Sequence, residues 1–189
     1  MIVTPVEHGL DLLRSDLVRS PGIHASDIYG DLFKRLEPKR YDFGDGPPNA
    51  TLMALGTAWE NHLEYLLRAN GIKAERPGEL ISEEGIAYSP DLVVFNGVVR
   101  VGEIKLTTMR IADFPDEPTN NFPPKFNKFM AQMMLYAYWL ELSHGWLAVM
   151  SLYRPFEPVF RTFNIEWNAR ELKENHSMMM LHAKEMGAL

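Results

Sequence analysis

A mixed α/β fold, a sheet flanked by helices, is predicted by three observations. Residues 88–106 (YSPDLVVFNGVVRVGEIKL) carry two apolar, β-branched runs around Asn96-Gly97, which reads as a β-hairpin. On either side lie two long stretches with apolar residues at helical spacing, 51–69 and 126–143. Two more strand-like runs, 146–153 and 159–165, follow the second helix. These patterns leave the strand order open.

Taken in order, Glu7 to Val18 reads as a short amphipathic helix ended by Ser20-Pro21-Gly22. Ser26-Asp27 is expected to cap a helix from Ile28 to Leu36, with Tyr29, Leu32 and Phe33 inward. Asp42 to Asn49 is turn-rich. The helix from Thr51 to Ala69 has Asn49 or Thr51 as its cap and Asn70-Gly71 as a left-handed stop. Leu52, Leu55, Trp59, Leu63, Leu66 and Leu67 form its apolar stripe, with Glu60 and Glu64 together on another face. Glu64 reads as solvated, and His62 as a surface histidine.

Leu80-Ile81 and Ile86 to Tyr88 flank a turn, Glu83-Glu84-Gly85, that feeds the hairpin. Residues 107–125 lose all periodicity and read as a flap beside the hairpin. In the helix from Phe126 to Ser143, Met130, Met133, Met134, Ala137, Tyr138 and Leu140 form a core stripe. Lys125, Lys128, Gln132 and Tyr136 share another face. A last helix runs from Trp167 or Asn168 to Met186, with Met178 to Met180 packing inward.

The hairpin's charges are its unusual feature. Asp91 opens the first strand after Pro90, while Glu103 and Lys105 lie two apart on the second and share a face. Charges on strands this apolar are costly unless paired with each other or with a cation. A two-residue turn would set Asp91 opposite Gly102 and send the two carboxylates to opposite faces. An odd turn, such as three residues with Gly97 left-handed in a bulge, brings them to one face. A metal shared by Asp91 and Glu103 therefore requires an irregular turn or strand.

Composition bounds the rest. At 189 residues, with 46% hydrophobic and 23% charged, a single globular domain is expected over 1–189. No run has the length of a membrane span, and Met1 to Pro5 lacks a signal-peptide layout. The absence of cysteine excludes disulfides, cysteine-ligated zinc and an iron–sulfur cluster, and fits a reducing, cytoplasmic setting. A net charge of −6 argues against a protein that coats DNA without specificity. It leaves room for a local basic rim from Lys34, Lys39, Arg40, Arg110, Lys125 and Lys128.

Four short motifs then carry a resemblance. Pro90-Asp91 followed by Glu103-x-Lys105, with Gly56-Thr57-Ala58-Trp59-Glu60 upstream and Gln132-x-x-x-Tyr136 downstream, resembles the PD-(D/E)XK nuclease superfamily. The order is that of its RecB-like and lambda-exonuclease-like branch, over roughly residues 20–165. Glu60 stands where RecB relatives often carry histidine and the lambda-type relatives glutamate. The resemblance implies a restriction-endonuclease-like αβββαβ core, α/β (α+β) in class, with a central mixed sheet flanked by helices.

It also implies a chemistry. Phosphodiester hydrolysis needs an activated water and balanced charge, for which Mg²⁺, with Mn²⁺ as its substitute, supplies a hard cation. By resemblance, Asp91, Glu103 and the Ile104 carbonyl hold one ion, and Glu60 assists a second. Lys105 orients the water or stabilises the phosphate. Gln132 and Tyr136 either support the metal ligands from behind or contact the substrate's DNA backbone, and Lys125 and Lys128 extend that track as substrate phosphate contacts.

The expectation is a metal-dependent deoxyribonuclease, an exonuclease of recombination, repair or phage DNA metabolism. Its partners would be DNA and a recombinase, annealing protein or helicase, with no membrane. An endonuclease of the same fold and a non-catalytic DNA-binding or scaffolding relative are the alternatives. The intact Asp91, Glu103, Lys105 set argues against the last.

Overall fold

The computed structural model describes residues 20–41, 50–117, 119, 122–154 and 159–189. The expected helix Glu7–Val18, the loop 42–49 and the turn through Pro155 and Pro158 lie outside the described residues, as does the Leu52 side chain. In chain order come α1 (Ala25–Leu36), α2 (Pro38–Tyr41), α3 (Ala50–Ala69), β1 (Lys73–Glu75), β2 (Leu80–Ile81), β3 (Ala87–Tyr88), β4 (Leu92–Asn96) and β5 (Val98–Thr107). Then follow α4 (Asn127–Trp139), β6 (His144–Ser151), β7 (Val159–Glu166) and α5 (Ala169–Glu185).

The central sheet has the order β1-β4-β5-β6-β7, and only the β5–β6 pair is parallel. The parallel pair follows from the connection. Strands β5 and β6 are joined across α4, whereas β4 and β5 meet in a tight turn. That turn is odd, because Phe95 pairs with Val99 and Leu92 with Gly102. Gly97 sits at its apex with φ +70°, a region that glycine enters without a Cβ clash.

Alternation along the strands sorts the core into two layers. Val101, Leu147 and Val149 face α1, α4 and α5. Leu92, Val94, Ile104, Trp146 and Ala148 face α3, where Leu63 is buried and Trp59 and Leu67 pack beside it. Three helices are tied at one point on the first side. Tyr29 OH donates to the Ala131 carbonyl at 2.7 Å, and Asn175 Nδ2 donates to the same oxygen at 3.0 Å. Gln132, the next residue, is thereby held over the sheet. Helix α5 starts where expected and carries a reciprocal cap that was not read from the sequence: Asn168 accepts from Glu171 N–H, and the Glu171 side chain accepts from Asn168 N–H.

Several expectations are corrected. Leu80–Ile81 and Ala87–Tyr88 form a separate pair outside the central sheet, with Ala87 also bridged to His24, and the first strand of the sheet is β1, too short to show periodicity. Helix α1 begins at Ala25, and Ser26 and Asp27 lie in its first turn rather than at a cap. The His24 carbonyl already accepts from Asp27 and Ile28 N–H there. Thr51 lies within α3, not at its cap. Leu55 and Leu66 on α3 are exposed, as is Tyr138 on α4, which stacks on His176 at 4.1 Å. The stretch after β5 is anchored rather than loose. Phe114 is buried against Phe126 at 5.0 Å, Asp113 binds Arg110, and Asp116 binds Arg161.

Candidate active site

The odd turn places Asp91 beside Glu103, one step beyond the last pair of the β4–β5 ladder. The expectation that a shared site demands an irregular turn is met by Gly97. Asp91 Oδ2 accepts from Ile104 N–H at 2.7 Å, so it caps the strand where β4 has ended. Lys105 Nζ then lies 2.5 Å from Glu103 Oε1 and 3.6 Å from Asp91 Oδ2. It also stands 4.8 Å from the centroid of Phe129 on α4. One ammonium thus bridges two carboxylates under an aromatic roof.

Helix α4 closes the site from above. Gln132 Nε2 lies 3.4 Å from Glu103 Oε1 and donates to Tyr136 OH at 3.0 Å. Tyr136 is buried, with its ring 5.5 Å from that of Tyr88. Lys128, one turn earlier, lies over Gly30 of α1, with Nζ 3.7 Å from the place a Cβ would take there. Lys125 is a correction of position. It sits exposed in a 3-10 turn, Pro124–Phe126, ahead of α4 and not on the helix.

Glu60 comes from α3, on the other layer, and is linked to the Asp91, Glu103 and Lys105 group through charge. It is not joined to Asp91 and Glu103. Its Oε2 stands 3.5 Å from Arg76 Nη1, just past the end of β1. Glu64, read as solvated, is instead held by Arg68 at 2.7 Å and Arg76 at 2.9 Å. Of the expected basic rim, Arg40 is engaged by Glu37 and Arg110 by Asp113.

Burial and charge shape the electrostatics. Glu103 is 0% exposed, and its carboxyl is pushed up to about 8 by burial first and by the Asp91 charge second. Burial works against the Lys105 charge, yet Asp91 and Glu103 outweigh it and hold the ammonium protonated above its ordinary range. Glu60 is raised by burial and then by Asp91, with Lys105 and Arg76 opposing. Burial, then the Glu103 and Asp91 charges, keep the Tyr136 phenol neutral.

The donor set fits a hard divalent cation. Among the described residues Glu103 Oε2 is buried with no hydrogen-bond partner, an uncompensated acceptor. Among the described residues no three His, Cys, Asp or Glu side chains gather as a metal cluster. Mg²⁺ asks for no such cage, since one or two carboxylates with water suffice. The Ile104 carbonyl leaves β5 on the same side as its N–H, toward Asp91 and away from β6.

Sequence reasoning missed Phe129 and Arg76. Phe129 carried no mark beyond its place one turn before Gln132. Arg76 follows a strand too short to be read, so no pattern placed it beside α3.

Comparison with solved structures brings two of an exonuclease. The alkaline exonuclease LHK-Exo of Laribacter hongkongensis shares 16% identity over 88% of each chain, with a TM-score of 0.51. The same enzyme in complex with dAMP gives 17% identity, 88% of each chain and a TM-score of 0.52. No protein-family model matches the sequence, and no curated protein matches it. The chain thus shares the fold of these structures, a mixed sheet flanked by helices with the helix–three-strand–helix–strand core expected above.

Proposed function

We propose that the chain is a single-domain, divalent-metal-dependent deoxyribonuclease that hydrolyses phosphodiester bonds, an exonuclease in recombination, repair or phage DNA metabolism. One observation carries the reading: Asp91, Glu103 and Lys105 converge on one face of the sheet, and a buried Glu103 oxygen has no hydrogen-bond partner among the described residues. A sheet with no chemical task gains nothing from a fully buried carboxylate pushed out of its ordinary range. The solved neighbours include an exonuclease bound to dAMP, which supports DNA as the substrate class.

Asp91, Glu103 and the Ile104 carbonyl are the residues to hold Mg²⁺ or Mn²⁺. When bound, such an ion supplies an acidified water and balances charge on the phosphate. The protein's own groups do the rest. Lys105, fixed by both carboxylates and Phe129, presents an ammonium that stays charged, suited to orient the attacking water or meet the developing negative charge. Gln132 meets the Glu103 carboxylate from above, and Tyr136 OH, accepting from the same amide, holds Gln132 in place. Lys125 and Lys128 extend toward the substrate backbone as phosphate contacts.

No helix among the described residues is long and apolar enough to cross a membrane. The test uses end-labelled linear DNA and closed circular DNA with Mg²⁺ or Mn²⁺. Loss of label from linear DNA alone supports the exonuclease. Cleavage of both forms makes it an endonuclease. No cleavage with metal, or the same cleavage in EDTA, overturns the metal-dependent reading.

A further inference from the structure

Arg76 stands just past β1, and its guanidinium is shared between two glutamates one turn apart on α3. The two contacts are unequal. Nε donates to Glu64 Oε2 at 2.9 Å, while Nη1 is 3.5 Å from Glu60 Oε2. Glu64 is in turn held by Arg68 Nη2 at 2.7 Å, which makes it a fixed anchor. The long contact to Glu60 is the one a competitor breaks first. Glu60 is the glutamate that the motif order assigns to the metal centre, and the charges of Asp91 and Lys105 act on its carboxyl. The Arg76 side chain stays 31% exposed, open to a ligand arriving from solvent.

We propose that Arg76 exchanges partners as the site fills, neutralising Glu60 in the metal-free protein and passing to a phosphate of the nucleic acid when a divalent cation takes Glu60. This rests on the nuclease reading above. The exchange follows from charge. A guanidinium that stayed on Glu60 would repel a cation seeking the same oxygen. A guanidinium tethered through Nε to Glu64 can surrender Glu60 and still remain in place. Its terminal N–H groups then meet a phosphate, a partner the planar fork binds well. Lysine, with a single ammonium, cannot hold an anchor and re-aim at once. Arg76 is thus a positioning residue in the resting state and a substrate contact in the loaded one.

The exchange makes opposed predictions that a merely structural role would not. Mn²⁺ binding is measured without nucleic acid by electron paramagnetic resonance of the free ion. Affinity for a short DNA duplex is measured by anisotropy in Ca²⁺ over a range of salt. Arg76→Gln should bind Mn²⁺ roughly three- to tenfold more tightly, since one opposing charge is gone. The same variant should bind DNA more weakly, with a salt slope smaller by about one. Glu64→Gln frees Arg76 to close on Glu60 and should weaken Mn²⁺ binding by a similar factor. Thermal melts verify that each variant is folded.

Unchanged or weaker Mn²⁺ binding in Arg76→Gln overturns the exchange, as does an unchanged salt slope. If that variant fails to fold, Glu64→Gln decides alone, and unchanged or tighter Mn²⁺ binding overturns the proposal. A wild-type chain that binds no Mn²⁺ overturns the nuclease reading itself. Normal wild-type binding with indifferent variants removes only Arg76.

Discussion

Gln132 on α4 places its amide 3.4 Å from the Glu103 carboxylate on β5, so the helix touches the sheet's buried acid directly. The same amide donates to Tyr136 OH at 3.0 Å. Gln132→Ala removes that support without removing a charge. Groups that orient a ligand in this way typically contribute 10–100-fold to affinity or activity. Cleavage in the variant should fall by about that factor. Turnover within about twofold of wild type would return Gln132 to a packing role.

Metal should stabilise the fold through Asp91 and Glu103. An ion that binds only the native state at about 100 times its Kd contributes roughly 2.7 kcal/mol. Melting with and without Mn²⁺ should show a rise in Tm for wild type and none for Asp91→Ala. An equal rise in both would place the ion elsewhere.

The pH dependence follows from Glu103, whose carboxyl is pushed up to about 8 by burial and by Asp91. Between the ordinary carboxyl range and about 8, the folded metal-free chain holds a proton that the unfolded chain has released. This group's contribution to stability is therefore full at low pH and is lost as pH rises through about 8. Metal binding runs the other way, because a cation needs the carboxylate. Mn²⁺ affinity should climb with pH up to about 8 and then level off, with protons released on binding. Calorimetry in buffers of different ionisation enthalpy counts those protons, and a flat affinity between about pH 6 and 8 would remove Glu103 as a ligand.

Lys105→Ala separates chemistry from binding. Loss of one preorganised charge costs on the order of 10²–10³ in rate. Removing the ammonium also takes away the group that holds the Glu103 carboxyl down, so the variant should need a higher pH to take metal, yet Mn²⁺ should still raise its Tm once Glu103 is ionised. A rate near wild type would reassign Lys105 to structure, as the counter-ion of two buried acids.

Lys125→Ala and Lys128→Ala should each weaken DNA binding, lower its salt slope by roughly one, and spare Mn²⁺ affinity. The two residues differ in setting, one exposed in the turn before α4 and the other lying over Gly30. If both slopes match wild type, α4 is not the nucleic-acid track.

How much of this was legible in the sequence depended on length and on which layer a residue joined. The hairpin, α4, the start of α5 and the shared face of Glu103 and Lys105 were readable, because long periodic runs and motif spacing report on them directly. Strand β1 was not, since three residues with only Ala74 buried show no alternation. The stripe on α3 was periodic, yet Leu55 is 48% exposed. Periodicity states which residues share a face but not how far the opposing sheet extends beneath it. Arg76 and Phe129 enter the site through contacts distant in sequence, which local patterns do not encode.

The tight turn at Gly97 has a further consequence, one of parity. Side chains alternate along both arms of the hairpin, so the faces taken by Asp91 and Glu103 depend on how many residues each arm sets between its carboxylate and the turn. A residue added beside Gly97 can be absorbed by the turn, with Asn96 still opposite Val98 and both carboxylates on their present face. A residue added within an arm, between Asp91 and Asn96 or between Val98 and Glu103, would instead turn one carboxylate to the α3 side, away from Lys105, unless a bulge absorbed it. The turn can therefore vary in length across related chains, while the arms that carry the carboxylates cannot.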